Sequence, residues 1–135
     1  MNLPERNRLA AFLLVYLVAS LLHFAHNAEF LSEYPNLPNW LTRSQVYLVW
    51  IGLAAIGVGG FVLYLRSSHL AGLLLVGLYA AFGFDGLLHY SRAPFEAHTV
   101  TMNFTIWFEV VAAAALLVVV VFAAVKRLHG HFIDA

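Results

Sequence analysis

VVAAAALLVVVVFAAV, residues 110–125, is sixteen apolar residues without a break, followed at once by Lys126 and Arg127. Extended upstream through FTIWF (104–108), it approaches the ~20 residues that a bilayer's hydrocarbon core asks of a helix. Three comparable runs precede it. Their limits place spans at about 9–26, 45–65, 70–90 and 98–125. The composition agrees. Only 10% of the 135 residues are charged and the formal net charge is zero, whereas soluble domains carry roughly 25% charged residues. The mean hydropathy is +0.82. These features predict an all-α integral membrane protein, a four-transmembrane-helix bundle in which residues 1–135 form a single domain, with the lipid bilayer as its obligatory partner.

The same composition excludes several classes of function. There is no cysteine, which removes disulfides, thiolate metal sites and thiol redox chemistry. No basic tract suggests nucleic acid. No G-x-S-x-G, H-E-x-x-H or phosphate-binding glycine loop is present.

Upstream of the apolar run lies the most polar part of the chain's interior, GFDGLLHYSRAPFEAHTVTMNFTIWFE (83–109). It carries Asp85, His89, Glu96, His98, Met102 and Glu109. A second polar group, LLHFAHNAEFLSE (21–33), ends the first span with His23, His26, Asn27, Glu29 and Glu33. Ionisable side chains in hydrocarbon cost about 2.5–3.5 kcal/mol each on insertion scales, so they are usually paired and functional.

Periodicity says which way these groups face. Tyr16, Ser20, His23 and Asn27 recur at spacings of 4, 3 and 4, as do His98, Met102, Thr105 and Glu109. Each set is one face of a helix, read here as directed inward. Residues 1–8 with Arg6 and Arg8, followed by an apolar stretch, also fit a signal peptide cut after Val18-Ala19-Ser20. The polar face runs straight across that cut, which favours a retained span. Between the first two spans, Pro35, Asn36, Pro38 and Asn39 mark a turn region, Tyr34 and Trp40 suit the headgroup level, and Thr42 and Ser44 are candidate N-caps. Gly52, Gly57, Gly59 and Gly60 are expected to let a neighbouring helix approach the second span. Arg66-Ser67-Ser68-His69 reads as a tight turn that makes spans two and three antiparallel.

Arg6, Arg8, Arg66, Lys126 and Arg127 fall at one end of such a bundle, and Arg43 and Arg92 at the other. Five basic residues against two predict cytoplasmic termini and a bacterial inner (plasma) membrane protein whose polar clusters face the outer side.

Histidine and carboxylate on facing helices are how helical bundles build metal centres. His23, His26, Asp85, His89 and His98 form the candidate ligand set for a transition metal ion (zinc, copper or iron), with His-x-x-His on span one and Asp-x-x-x-His on span three. Haem is the alternative cofactor, held by His23 and His89 with Gly83 and Gly86 making room for the porphyrin. Met102 is read as core filler. Asp85 and Glu109 are the candidate catalytic acids. Glu109, eleven residues beyond His98, should lie about 16 Å deeper, near the bilayer midplane. The expected function is a metal site acting on a small or lipid-soluble substrate or handling the metal. The rivals are a non-catalytic accessory subunit of a larger membrane complex or homo-oligomer, a haem protein, and a proton-coupled carrier. Histidines bonded to carboxylates, Tyr90 and backbone at a wet interface are the purely structural competitor.

Overall fold

A computed structural model describes residues 3–66 and 69–133. Among them the helices are α1 (Leu3–Glu29), α2 (Arg43–Arg66), α3 (His69–Phe82), the single-turn α4 (His89–Arg92) and α5 (Val100–Ile133). Short 3-10 turns occupy Leu31–Glu33, Asp85–Leu88 and Phe95–Ala97, and no strand occurs among the described residues. Four stretches, Leu3–Glu29, Arg43–Arg66, His69–Arg92 and Val100–His129, are long and apolar enough to cross a membrane.

The helices close into a square: α1 packs on α2 and α5, and α3 packs on the same two. Gly57 faces the Tyr79 ring, Gly60 faces Val76 and Gly72, and Gly72 faces the Tyr64 backbone. Numbers rising on α2 meet numbers falling on α3, so the two are antiparallel, as the short connection implied. Ser67 and Ser68, where the turn was expected, lie outside the described residues. A Cβ on Gly72 would run into the Tyr64 backbone nitrogen, so only glycine permits this approach. Gly52 and Gly59 differ from expectation. Nothing lies within 4 Å of a Cβ at either, and they face away from the bundle.

Local signals set the helix limits. Pro4 sits in the first turn of α1, where its missing N–H costs nothing. Thr42 and Gln45 form a capping box at α2: Thr42 N–H donates to Gln45 Oε1 at 2.8 Å, and Gln45 N–H to Thr42 Oγ1 at 3.4 Å. Thr99 caps α5, its Oγ1 accepting from Met102 N–H at 3.2 Å. The core of the bundle is Leu9, Leu13, Tyr16, Leu73, Val76, Tyr79, Ala113 and Leu116, all buried.

Two ends result. At one, Glu5 accepts from the Tyr64 hydroxyl at 3.0 Å and from Arg127 at 3.3 Å, and Lys126 stands 3.5 Å away. The start of α1 and the ends of α2 and α5 meet there. At the other end lie the polar groups of 21–33 and 85–98.

The third span is the main departure from expectation. It is not a continuous helix over 70–90: α3 stops at Phe82 and a 3-10 segment follows. Gly83 N–H bonds Ala80 O and Phe84 N–H bonds Ala81 O, the i to i+3 pattern that tightens and ends an α-helix. Gly83 is pressed against Tyr16 and Ala113 with no space for a Cβ, so the break is fixed by packing on α1 and α5.

Candidate functional site

Glu109 is fully buried, 1% exposed, about 14 Å along α5 from its first residue. Its Oε2 stands 3.7 Å from His23 Nε2 and has no hydrogen-bond partner. Tyr16 and Ser20, on the inward face of α1, are engaged elsewhere. Tyr16 donates to the Tyr79 carbonyl, while Ser20 pairs with the Tyr79 hydroxyl and accepts from Trp50 Nε1.

The contacts of Thr105 bear on the His23 tautomer. Thr105 has one hydroxyl hydrogen, and it donates to the Met102 carbonyl at 3.0 Å. The contact between His23 Nδ1 and Thr105 Oγ1 at 3.4 Å therefore needs the proton on Nδ1. That leaves Nε2 as a lone pair turned toward Glu109. A carboxylate facing a lone pair would repel it; a carboxylic acid facing it can donate. Glu109 from α5 and His23 from α1 thus face each other across 3.7 Å, with Thr105 on the far side of the imidazole.

Above this pair, Asn27 Nδ2 donates to His89 Nε2 at 3.3 Å, which puts the His89 proton on Nδ1. His98 Nδ1 donates to the Pro94 carbonyl at 3.0 Å. His89 Nδ1, His98 Nε2 and Asn27 Oδ1 are buried and unpartnered. The His89 ring lies 5.4 Å from His23 and 6.1 Å from His98, centroid to centroid. Asn103 fastens the 90–98 turn, accepting from the Tyr90 hydroxyl and donating to the carbonyls of Phe95 and His98.

Tyr34 is a site residue that sequence reasoning placed at the headgroups. It is 3% exposed, its ring 5.0 Å from His89 and its hydroxyl 2.9 Å from His26 Nδ1. Tyr34 precedes Pro35, which favours extended backbone; its φ and ψ of −73° and 123° fold the ring back over α1. Burial is the leading cause that pushes its hydroxyl up to about 12, so it keeps its proton at physiological pH. Trp40, by contrast, is exposed.

The expected metal set is not brought together. Among the described residues no three histidine, cysteine, aspartate or glutamate side chains converge to hold one ion. His26 turns away to Phe30 and Tyr34. Asp85 begins the 3-10 segment and His89 follows it, so the i, i+4 face that would have paired them on an α-helix does not form. Glu29 is held by Arg43 and Tyr47, both at 2.7 Å, and Glu33 and Glu96 are exposed. For haem, Gly83 is closed by Tyr16 and Ala113 instead of leaving room for a macrocycle.

What the site does contain is a cavity of about 220 Å3 between α1, α2 and the 85–92 segment. His23, Asn27, Asp85, Gly86, His89 and Arg92 supply its polar side. Gly86 forms part of the partition above Glu109: a Cβ there would stand 3.6 Å from Glu109 Oε2 and 3.8 Å from His23 Nε2. The arrangement can hold a small ligand over a buried acid–imidazole pair.

Comparison with protein-family models, curated proteins and solved structures finds no match.

Proposed function

We propose that this is an integral membrane protein that binds a small lipid-soluble molecule at the end of its bundle and exchanges a proton with it through Glu109 and His23. The observation that carries the proposal is the buried Glu109 carboxyl facing the bare Nε2 of His23 beneath a cavity. With the proton on Glu109 the two groups face each other uncharged across 3.7 Å; its transfer to His23 makes a carboxylate–imidazolium pair, and its transfer to a ligand group beside Gly86 leaves one negative charge beside the imidazole. The site residues in this reading are His23, Thr105 and Glu109 for the proton and Asn27, Asp85 and His89 for the ligand. The five-to-two distribution of basic residues supports cytoplasmic termini, a bacterial inner (plasma) membrane and a site toward the outer side. A metal centre is not carried forward, because the candidate donors have different neighbours.

Infrared spectroscopy of the protein in lipid tests this directly. The native protein should show a protonated-carboxyl band at neutral pH that Glu109→Gln removes. A native spectrum that the substitution leaves unchanged in that region refutes the proposal.

A further inference from the structure

We propose that the cavity takes the hydroxyl end of a long-chain lipid alcohol, admitted sideways from the membrane between α2 and the 85–92 segment. The ligand class deepens the proton-exchange reading and rests on it for the floor of the site, but its evidence is separate.

The opening follows from the helix break. The α2–α3 contact is held tight through Gly57, Gly60 and Gly72. Beyond Phe82 the chain leaves that line, and the 3-10 segment packs on α4 and α5. The side of the square between α2 and the third span is therefore unfilled over its last part, and the cavity lies there. Its rim says what environment it opens to. Val49 on α2 and Leu88 on the 3-10 segment both line it, and they are 52% and 60% exposed. Both belong to stretches long and apolar enough to span. Val49 lies about 9 Å along α2 from its start, within the hydrocarbon of a ~30 Å core. Water-facing mouths are not built from exposed valine and leucine at that depth.

Size and polarity define the guest. A cavity of about 220 Å3 falls below the roughly 300–1,000 Å3 typical of sites that enclose a drug-sized ligand. It accepts the end of a molecule whose remainder stays in the bilayer. Leu41 and Val46 make the wall beside the opening apolar. At the polar wall, Asn27 and His89 line the cavity beside Asp85 and Arg92, an amide and an imidazole that between them can both donate and accept. A hydroxyl, which accepts and donates at one oxygen, suits such a mixed wall. Asp85 and Arg92 bring one charge of each sign to the lining, so the site has no net preference for an ionised head.

The test uses the full chain in lipid nanodiscs and a long-chain alcohol carrying a diazirine close to its hydroxyl. After illumination, adducts should concentrate on peptides containing Asn27, Gly86 and His89, and unlabelled long-chain alcohol should compete. Val49→Trp and Leu88→Trp, both at exposed positions, should each reduce these adducts at least fivefold. Leu74→Trp, at a site 73% exposed on α3, should leave them unchanged. Adducts spread over all exposed apolar faces without competition would overturn the proposal. So would equal cavity labelling in the rim variants, or a fatty acid that competes better than the alcohol. The infrared band of Glu109 is read on the same samples. If that band is present while cavity labelling fails, the ligand class falls and the proton pair stands; if labelling succeeds without the band, the reverse holds.

Discussion

Replacing Glu109 by glutamine separates a neutral acid from a buried ion pair by the size of its effect. Glu109 and His23 are 1% and 3% exposed with 3.7 Å between Oε2 and Nε2. Were they a carboxylate and an imidazolium, their attraction at an effective dielectric of about 20 would be about 4–5 kcal/mol. Glutamine would then strand a buried cation, and breaking such a pair costs about 3–5 kcal/mol. With the proton on Glu109 and a lone pair on His23, glutamine's amide N–H replaces the acid O–H at nearly the same volume. The expected loss is then within about 1 kcal/mol, the scale of one exchanged hydrogen bond. Glu109→Leu serves as the second variant. It removes a polar group without a strong partner, and it should also cost little compared with an ion pair. The assay is thermal unfolding in mild detergent, native and variants side by side, with helicity and tryptophan fluorescence as two probes. A loss of 3 kcal/mol or more in Glu109→Gln would show that the pair is ionic and refute the proton assignment built on Thr105.

Gly86→Ala should fold normally, since its Cβ would make only ordinary contacts of 3.5–3.8 Å with Ile106, Glu109 and His23. The methyl group should shield Glu109 from the cavity and slow deuterium exchange of its carboxyl proton, which time-resolved infrared spectra can follow; unchanged exchange would mean the proton leaves by another path. Gly72→Ala must displace the Tyr64 backbone and should lose about 1–3 kcal/mol, whereas Gly59→Ala, with open space around it, should gain up to about 1 kcal/mol from helix propensity. Equal unfolding temperatures for the two would contradict the close α2–α3 approach. Reporter fusions at Asn36 and Ala135 should report opposite compartments, and matching signals would overturn the proposed orientation.

The helices were legible because their cause is local and repeated: long apolar runs, a Thr42 cap, and polar residues returning every three or four positions. The faces read that way hold up in the packing. Tyr16, Ser20 and His23 are buried together, as are His98, Met102, Thr105 and Glu109. The misplacements share a different cause. Pairing Asp85 with His89 counted residues as though the backbone were α-helical, and the 3-10 segment changes the rotation per residue. Residue type alone places Tyr34 at the headgroups, but the extended backbone before Pro35 decides where its ring goes. Gly52 and Gly59 could not be told from Gly57 and Gly60 by composition, because only the partner helix distinguishes the faces. Asn103 gave no signal in the sequence, since its three bonds reach a turn whose shape depends on Pro94.

The break in the third span has a consequence that links fold to site. In hydrocarbon an unpaired backbone amide costs several kcal/mol, so non-helical backbone at membrane depth survives only where protein buries it or where it borders a cavity. In the proposed membrane setting, residues 83–89 would meet both conditions. Gly83 and Gly86 are buried, Leu87 N–H bonds Phe84 O at 3.1 Å, and Asp85, Gly86, Leu88 and His89 line the cavity. The irregular segment thus borders the cavity on one side and, through Gly86, Glu109 and His23 on the other: a Cβ on Gly86 would stand 3.6 Å from Glu109 Oε2 and 3.8 Å from His23 Nε2.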